Sequence, residues 1–220
     1  MHKRKGARNI RLVVDHNGSI KVTMPAWTPY RTAVAFVISK QQWIEQQKVG
    51  RQNTLLKDGE RIGKAHRIII VPEARTNVTA RVAKTNLTIR IPLNMRVDDK
   101  EVQRIGLAGA IRALKQEARA LLPQRLNALA TQHGFIYKSV SIKHLKTRWG
   151  SCSSQKDIAL NCFLMQLPWD IIDYVLLHEL LHTRIMAHGP VFWRELNKFV
   201  PNLTDKRKLI KTHKPMLMPQ

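Results

Sequence analysis

Within this 220-residue chain, three histidines and one glutamate have the types and spacing to do chemistry: His178, Glu179, His182 and His188. His178 and His182 are four residues apart, so on a helix both imidazoles leave one face and can share an ion. Glu179 lies about 100° further around and can reach a water on that ion without being a ligand. Zinc suits imidazole nitrogen, and three protein ligands leave the fourth position to water. The metal lowers the pKa of that water to about 7. Glu179 would then take its proton and pass it to a leaving group.

The third ligand depends on where the chain goes beyond the helix. In an unbroken helix His188 would be about 600° past His182, off the shared face. The chain must therefore leave the helix after about Arg184 and turn back. Gly189-Pro190 supports such a break, with Pro190 restarting a helix through Phe192, Trp193, Leu196 and Phe199. Glu195 on that next helix is the rival ligand; spacing favours His188, and both stay open. The bland alternative is a pair of satisfied structural histidines. Against it, Ile171 to Leu181 is so apolar that the helix must be mostly buried, and an unsatisfied buried polar group costs roughly 1–3 kcal/mol. A metal supplies the missing partner.

These residues need a scaffold. Pro168 opens the site helix where its missing N–H costs nothing, with Asp170 and Asp173 near the positive end of the dipole. Upstream, Leu107, Ile111, Leu114, Ala118 and Leu121 form the buried stripe of an amphipathic helix, interrupted at Pro123 and stopped at Gly134. Val140–Leu145 and Ile158–Leu164 read as strands joined by 146–157. The first half is β-rich with one helix. Ile10–Asp15 and Ile20–Met24 flank a His16-Asn17-Gly18-Ser19 hairpin turn. Arg31 to Lys48 has helical spacing, and Arg61–Val71, Asn77–Ala83 and Leu87–Ile91 are strand-like. The fold class is α+β: a β-rich region over 1–97, then a compact core over 98–220 ending in a mobile basic tail.

Arg148-Trp149-Gly150-Ser151-Cys152-Ser153, Ile158-Ala159-Leu160-Asn161, Ile172-Asp173-Tyr174-Val175, the HELLH run, His188 and Phe192-Trp193 together resemble the YgjP-like metallopeptidases, relatives of the SprT and WLM groups among the zincins. The resemblance is sharp from about Lys146 to Trp193. It implies a zincin-like helix–sheet–helix core, one zinc on His178, His182 and His188, and Glu179 as the catalytic glutamate. Leu181 is bulkier than the residue expected inside the motif, and Gly189 replaces a frequent Ser. Neither removes a catalytic group. The expected activity is hydrolysis of peptide bonds in a peptide or protein substrate. Gly150 would let a substrate backbone approach as an added strand, and Arg148 would steady the oxyanion. Cys152 reads as an inert thiol, and Trp149, Phe192 and Trp193 as packing.

Composition sets the surroundings. Thirty-eight Lys plus Arg against 15 Asp plus Glu give a net charge of +23, an attraction to polyanions that makes nucleic acid a candidate partner. No aromatic-interleaved basic stripe is present in the sequence. With 44% hydrophobic residues the chain can bury a core, and wholesale disorder is excluded. No apolar run approaches the ~18 residues of a membrane span, and the basic N-terminus lacks a secretory apolar stretch. Two cysteines make no disulfide framework, so a reduced cytoplasmic chain is expected.

Overall fold

A computed structural model describes residues 1–14, 20–49, 55–145 and 147–213. The Asn17-Gly18 turn and the residues after His213 lie outside them. The chain divides into two compact units, Met1–Leu55 and Leu56–Leu217.

In the first unit, β1 (His2–Arg4), β2 (Arg11–Val14) and β3 (Ile20–Pro25) form a sheet in the order β1-β3-β2, β3 running parallel to β1 and antiparallel to β2. The β2–β3 pairing is the one the hairpin pattern predicts. Val22 and Met24 of β3 are buried with Ala33, and Ile10, Leu12 and Val37 pack around them. Where one helix is expected there are two, α1 (Tyr30–Ser39) and α2 (Gln41–Val49). Lys40 leaves helical geometry at φ −106°, ψ 12°. The Ser39 hydroxyl donates to the Phe36 carbonyl, competing with the backbone where continuation is weakest.

The second unit repeats that topology twice. Strands β4 (Arg67–Glu73), β5 (Thr79–Val82) and β6 (Asn86–Pro92) form a sheet in the order β4-β6-β5. After α3 (Lys100–His133), strands β7 (Ser139–Lys143), β8 (Gly150–Cys152) and β9 (Asp157–Asn161) take the order β7-β9-β8. In both, the third strand lies parallel to the first and antiparallel to the second. β4 begins at Arg67 instead of Arg61, because a buried carboxylate claims the backbone before it. Glu117 of α3 accepts the amides of Lys64, Ala65 and His66, and its Oε1 lies 2.7 Å from His66 Nδ1. Backbone groups spent this way cannot form a ladder.

The helix α3 runs unbroken through Pro123 and ends on Gly134, whose φ of +67° is the left-handed conformation favoured at helix ends. It packs against β5, β6, β7 and the next helix. A 3₁₀ turn, Cys162–Gln166, connects β9 to α4 (Trp169–Leu181), followed by α5 (Pro190–Phe199) and α6 (Leu203–Thr212). The helix α6 corrects the expectation of a mobile tail over residues 206–212, since Leu203 is buried and Ile210 packs on the core. Helices thus flank the sheets of an α+β core. Among the described residues no helix is long and apolar enough to cross a membrane.

Candidate active site

The helix α4 is held from both sides before it presents any polar group. Ile171, Ile172, Val175, Leu176, Leu177, Leu180 and Leu181 are buried. Arg125 of α3 donates to both carboxylate oxygens of Asp173 at 2.7 and 2.6 Å. The helix ends at Leu181, three residues earlier than the spacing suggests. His182 N still bonds His178 O, and turn bonds carry the chain through Ile185 before Pro190 begins α5. This break swings His188 back.

The result is a triangle of imidazole nitrogens. His182 Nε2 is 3.2 Å from His178 Nε2 and 3.1 Å from His188 Nε2, and the last two are 3.0 Å apart. Glu195 is elsewhere, with both carboxylate oxygens on Lys198. Phe192, fully buried, stacks on His182 at 4.6 Å between centroids, and Trp193 stacks on His188 at 5.6 Å. The Trp193 indole donates to the His188 carbonyl, so these aromatic residues pack while also fixing the rings. His182 Nδ1 lies 3.0 Å from the Ile185 carbonyl. Its proton belongs on that nitrogen, and a lone pair on Nε2 then faces the cluster.

The donor set fits a metal cation. A tetrahedral ion with bonds of about 2.0–2.1 Å needs ligand atoms about 3.3–3.4 Å apart, close to the spacing found. Among the described residues these three side chains are the group able to hold an ion. Burial lowers the pKa of His178 to about 3, helped by His182, His188 and Arg207. Burial likewise lowers that of His182. Both rings stay neutral, the form that ligates.

Glu179 is 5% exposed, and its Oε2 has no hydrogen-bond partner. Burial raises its carboxyl to about 8, against the pull of Arg148. Its room is made by Gly150: a Cβ there would stand 2.7 Å from both Cγ and Oε1 of Glu179. The glycine expected to admit a substrate backbone therefore also admits the glutamate. Among the described residues β8 is an edge strand, paired with β9 alone. Asn161 fixes the loop before it, its amide donating to the carbonyls of Leu145 and Arg148 at 2.8 Å each. Arg148, Gly150 and Cys152 line a cleft of about 480 Å³ together with His178, Glu179, His182 and His188. The Cys152 thiol is pushed up by burial, with Glu179 and Asp157 adding to it, which disfavours a thiolate nucleophile.

Tyr174, Val175, Met186 and Ile210 also line the cleft; the sequence reading held Tyr174 and Val175 as part of the family motif without a place in the cleft, and singled out neither Met186 nor Ile210. Tyr174 could have been placed there, since it precedes His178 by four residues on the same face. Ile210 carried no local signal. Near it on α6, Arg207 lies 3.6 Å above the Trp193 ring.

A family model described as YgjP-like, metallopeptidase domain, matches residues 8–213. The chain belongs to the YgjP-like metallopeptidase family. It is accordingly a metal-dependent hydrolase, related to the SprT group as the motifs of residues 148–193 suggest. Two solved structures are similar over part of the chain. The metallopeptidase zymogen of Pyrococcus abyssi abylysin has 26% identity and a TM-score of 0.38, covering 42% of this chain and 93% of that one. The metallopeptidase zymogen of Methanocaldococcus jannaschii jannalysin has 23% identity and a TM-score of 0.37, covering 41% and 94%. No curated protein matches the sequence.

Proposed function

We propose that this YgjP-like protein is a zinc peptidase in which Glu179 is the general base for hydrolysis of a peptide bond. The observation that carries the reading is the placement of an unpartnered, buried Glu179 carboxylate in the same cleft as three converging Nε2 atoms. His178, His182 and His188 would hold the ion. Zinc bound there supplies Lewis acidity at the scissile carbonyl and a water that loses its proton near neutral pH. With the bound cation's charge beside it drawing its carboxyl down from about 8, Glu179 would accept that proton and return it to the leaving amine. Gly150 and the free edge of β8 receive an extended peptide through main-chain hydrogen bonds, and Arg148 faces the carbonyl oxygen as it gains charge. Phe192 and Trp193 keep the imidazoles from rotating. A structural site is usually closed by four protein ligands; three donors beside an open cleft favour catalysis.

Residues 98–220 form the catalytic region in this reading and 1–97 the β-rich region that precedes it. The setting is the reduced cytoplasm, and nucleic acid is a candidate partner of the basic surface. The deciding experiment is Glu179→Gln. Zinc content should remain stoichiometric while peptide hydrolysis falls by about 10²–10⁴-fold, whereas His178→Ala and His182→Ala lose the zinc itself. Hydrolysis that survives Glu179→Gln refutes the mechanism.

A further inference from the structure

Two elements packed against α4 contribute to the cleft, the strand β8 and the helix α6. Ile210 brings α6 to it, lining it with Tyr174 and Val175 of α4. Arg207 lies three residues earlier, on the same side of α6 as Ile210, and is half-buried. Its Cζ stands 3.6 Å over the centre of the Trp193 ring, which in turn stacks on His188 at 5.6 Å. Two ring contacts therefore separate this cation from one of the converging imidazoles. Its charge reaches two further residues of the cleft. Burial raises the Tyr174 phenol while Arg207 pulls it down, and burial lowers His178 with the other two histidines and Arg207 adding to it.

Among the described residues no carboxylate pairs with Arg207. On the neighbouring helices Asp173 holds Arg125, Asp170 lies 3.8 Å from Lys206, and Glu195 holds Lys198. Asp205, two residues before Arg207, leaves α6 on a different side. Glu179 is the single acid among the described residues that line the cleft, and it stands against Gly150. Stacking occupies the flat face of a guanidinium and leaves the N–H donors around its rim, the fork that takes a carboxylate through two hydrogen bonds. The ring beneath also fixes the plane, so less freedom is lost when a carboxylate docks.

We infer that Arg207 selects substrate by receiving a carboxylate of the bound peptide, from an Asp or Glu side chain near the scissile bond or from the peptide's free C-terminus. Consecutive Cα atoms are about 3.8 Å apart, so a residue one or two places from the cleaved bond can reach past the Trp193 ring. This rests on the peptidase reading and gives it a substrate class, acidic peptides. Phosphate suits the same fork, but the edge of β8 on this cleft pairs with a peptide backbone and not with a nucleic acid.

The test is anisotropy of fluorophore-labelled heptapeptide amides, otherwise uncharged, with one Glu or one Gln at each position in turn. They are titrated with the full zinc-loaded chain carrying Glu179→Gln, so binding is read without turnover. Failure of the peptidase reading would show separately, as absent hydrolysis of every peptide by the wild type. At one or two positions Glu should bind about tenfold more tightly than Gln. Adding Arg207→Gln should bring that ratio to about one. Arg207→Lys, which keeps the charge and loses the fork, should restore part of it. Lys208→Gln, the same charge change at an exposed position of α6, should leave the ratio intact. A ratio between two peptides on one protein cancels any loss of folded material. In a second arm the Gln peptides carry a free C-terminus in place of the amide, and a gain there that Arg207→Gln abolishes assigns the site to the chain end. Equal gain from Glu at every position overturns the inference, since net charge alone would then do the attracting. So does a preference that Arg207→Gln leaves unmoved in both arms.

Discussion

The sheets β1-β3-β2 and β7-β9-β8 have the same strand order and directions but different surroundings. In β9, Ile158, Ala159, Leu160 and Asn161 are all buried, because α3 packs against β7 in the same sheet and α4 against β8. In β3, buried Val22 and Met24 alternate with exposed Lys21 and half-buried Thr23. The first pattern is that of a strand covered on both faces, the second of one with an open face. Topology thus gives no indication of which sheet holds chemistry. The covered sheet can place a glutamate against a strand edge to within one atom's width; the open sheet offers charge and aromatic area.

The sharpest way to break this contrast is to loosen the covered unit where α3 grips it. Glu117 is 4% exposed. Burial pushes its carboxyl up, but hydrogen bonds from His66 and from the amides of Lys64, Ala65 and His66 outweigh that and hold it below the usual carboxylate range. Glu117→Ala strands those donors and should cost about 3–5 kcal/mol in denaturant unfolding. The carboxylate's contribution is fully present above its ordinary value of 4.5 and is lost as pH falls through the lower folded-state value. Wild type should therefore lose stability on that acid limb, and Glu117→Gln should lose the corresponding part of the pH dependence.

A smaller effect comes from the strand edge. Gly150→Ala should leave zinc content intact and lower kcat/KM by about a hundredfold, because a displacement of about 1 Å is enough to misplace a catalytic group. An unchanged rate would show that β8 yields freely. The smallest effect belongs to the open sheet. Trp27→Ala should alter unfolding free energy by no more than about 0.5 kcal/mol and leave peptide hydrolysis unaffected. A larger loss would mean that the exposed ring packs on something that matters for stability.

How much could be read from the sequence depends on how local each signal is. The ligand spacing at His178 and His182, the break before Pro190 and the β2–β3 hairpin each depend on a few adjacent residues, and each has a structural counterpart. The separation of α1 from α2 needed one hydroxyl, Ser39, to compete with the helix. The Glu117 hydrogen bonds span more than fifty residues, so the shortened start of β4 could not be anticipated. The helix α6 was missed because LTDKRKLIKT reads as basic and polar, and just Leu203 and Ile210 mark its packed side. The cleft was legible where α4 lines it, and opaque where Met186 and Ile210 close it. His178 and His182 came from spacing and the polar cost of burial, His188 stood against Glu195 until the resemblance chose it, and the close approach of the three imidazoles came from the break after Leu181.

The close approach at Gly150 also describes the evolutionary neighbourhood of this sequence. Every single-nucleotide change that replaces this glycine with another residue adds at least a Cβ where Glu179 stands. Variants at 150 are thus filtered by a group they do not resemble chemically, and a lineage could abandon hydrolysis while keeping all three histidines. A decayed relative would then betray itself by what has replaced this one hydrogen, with its metal-binding residues still intact.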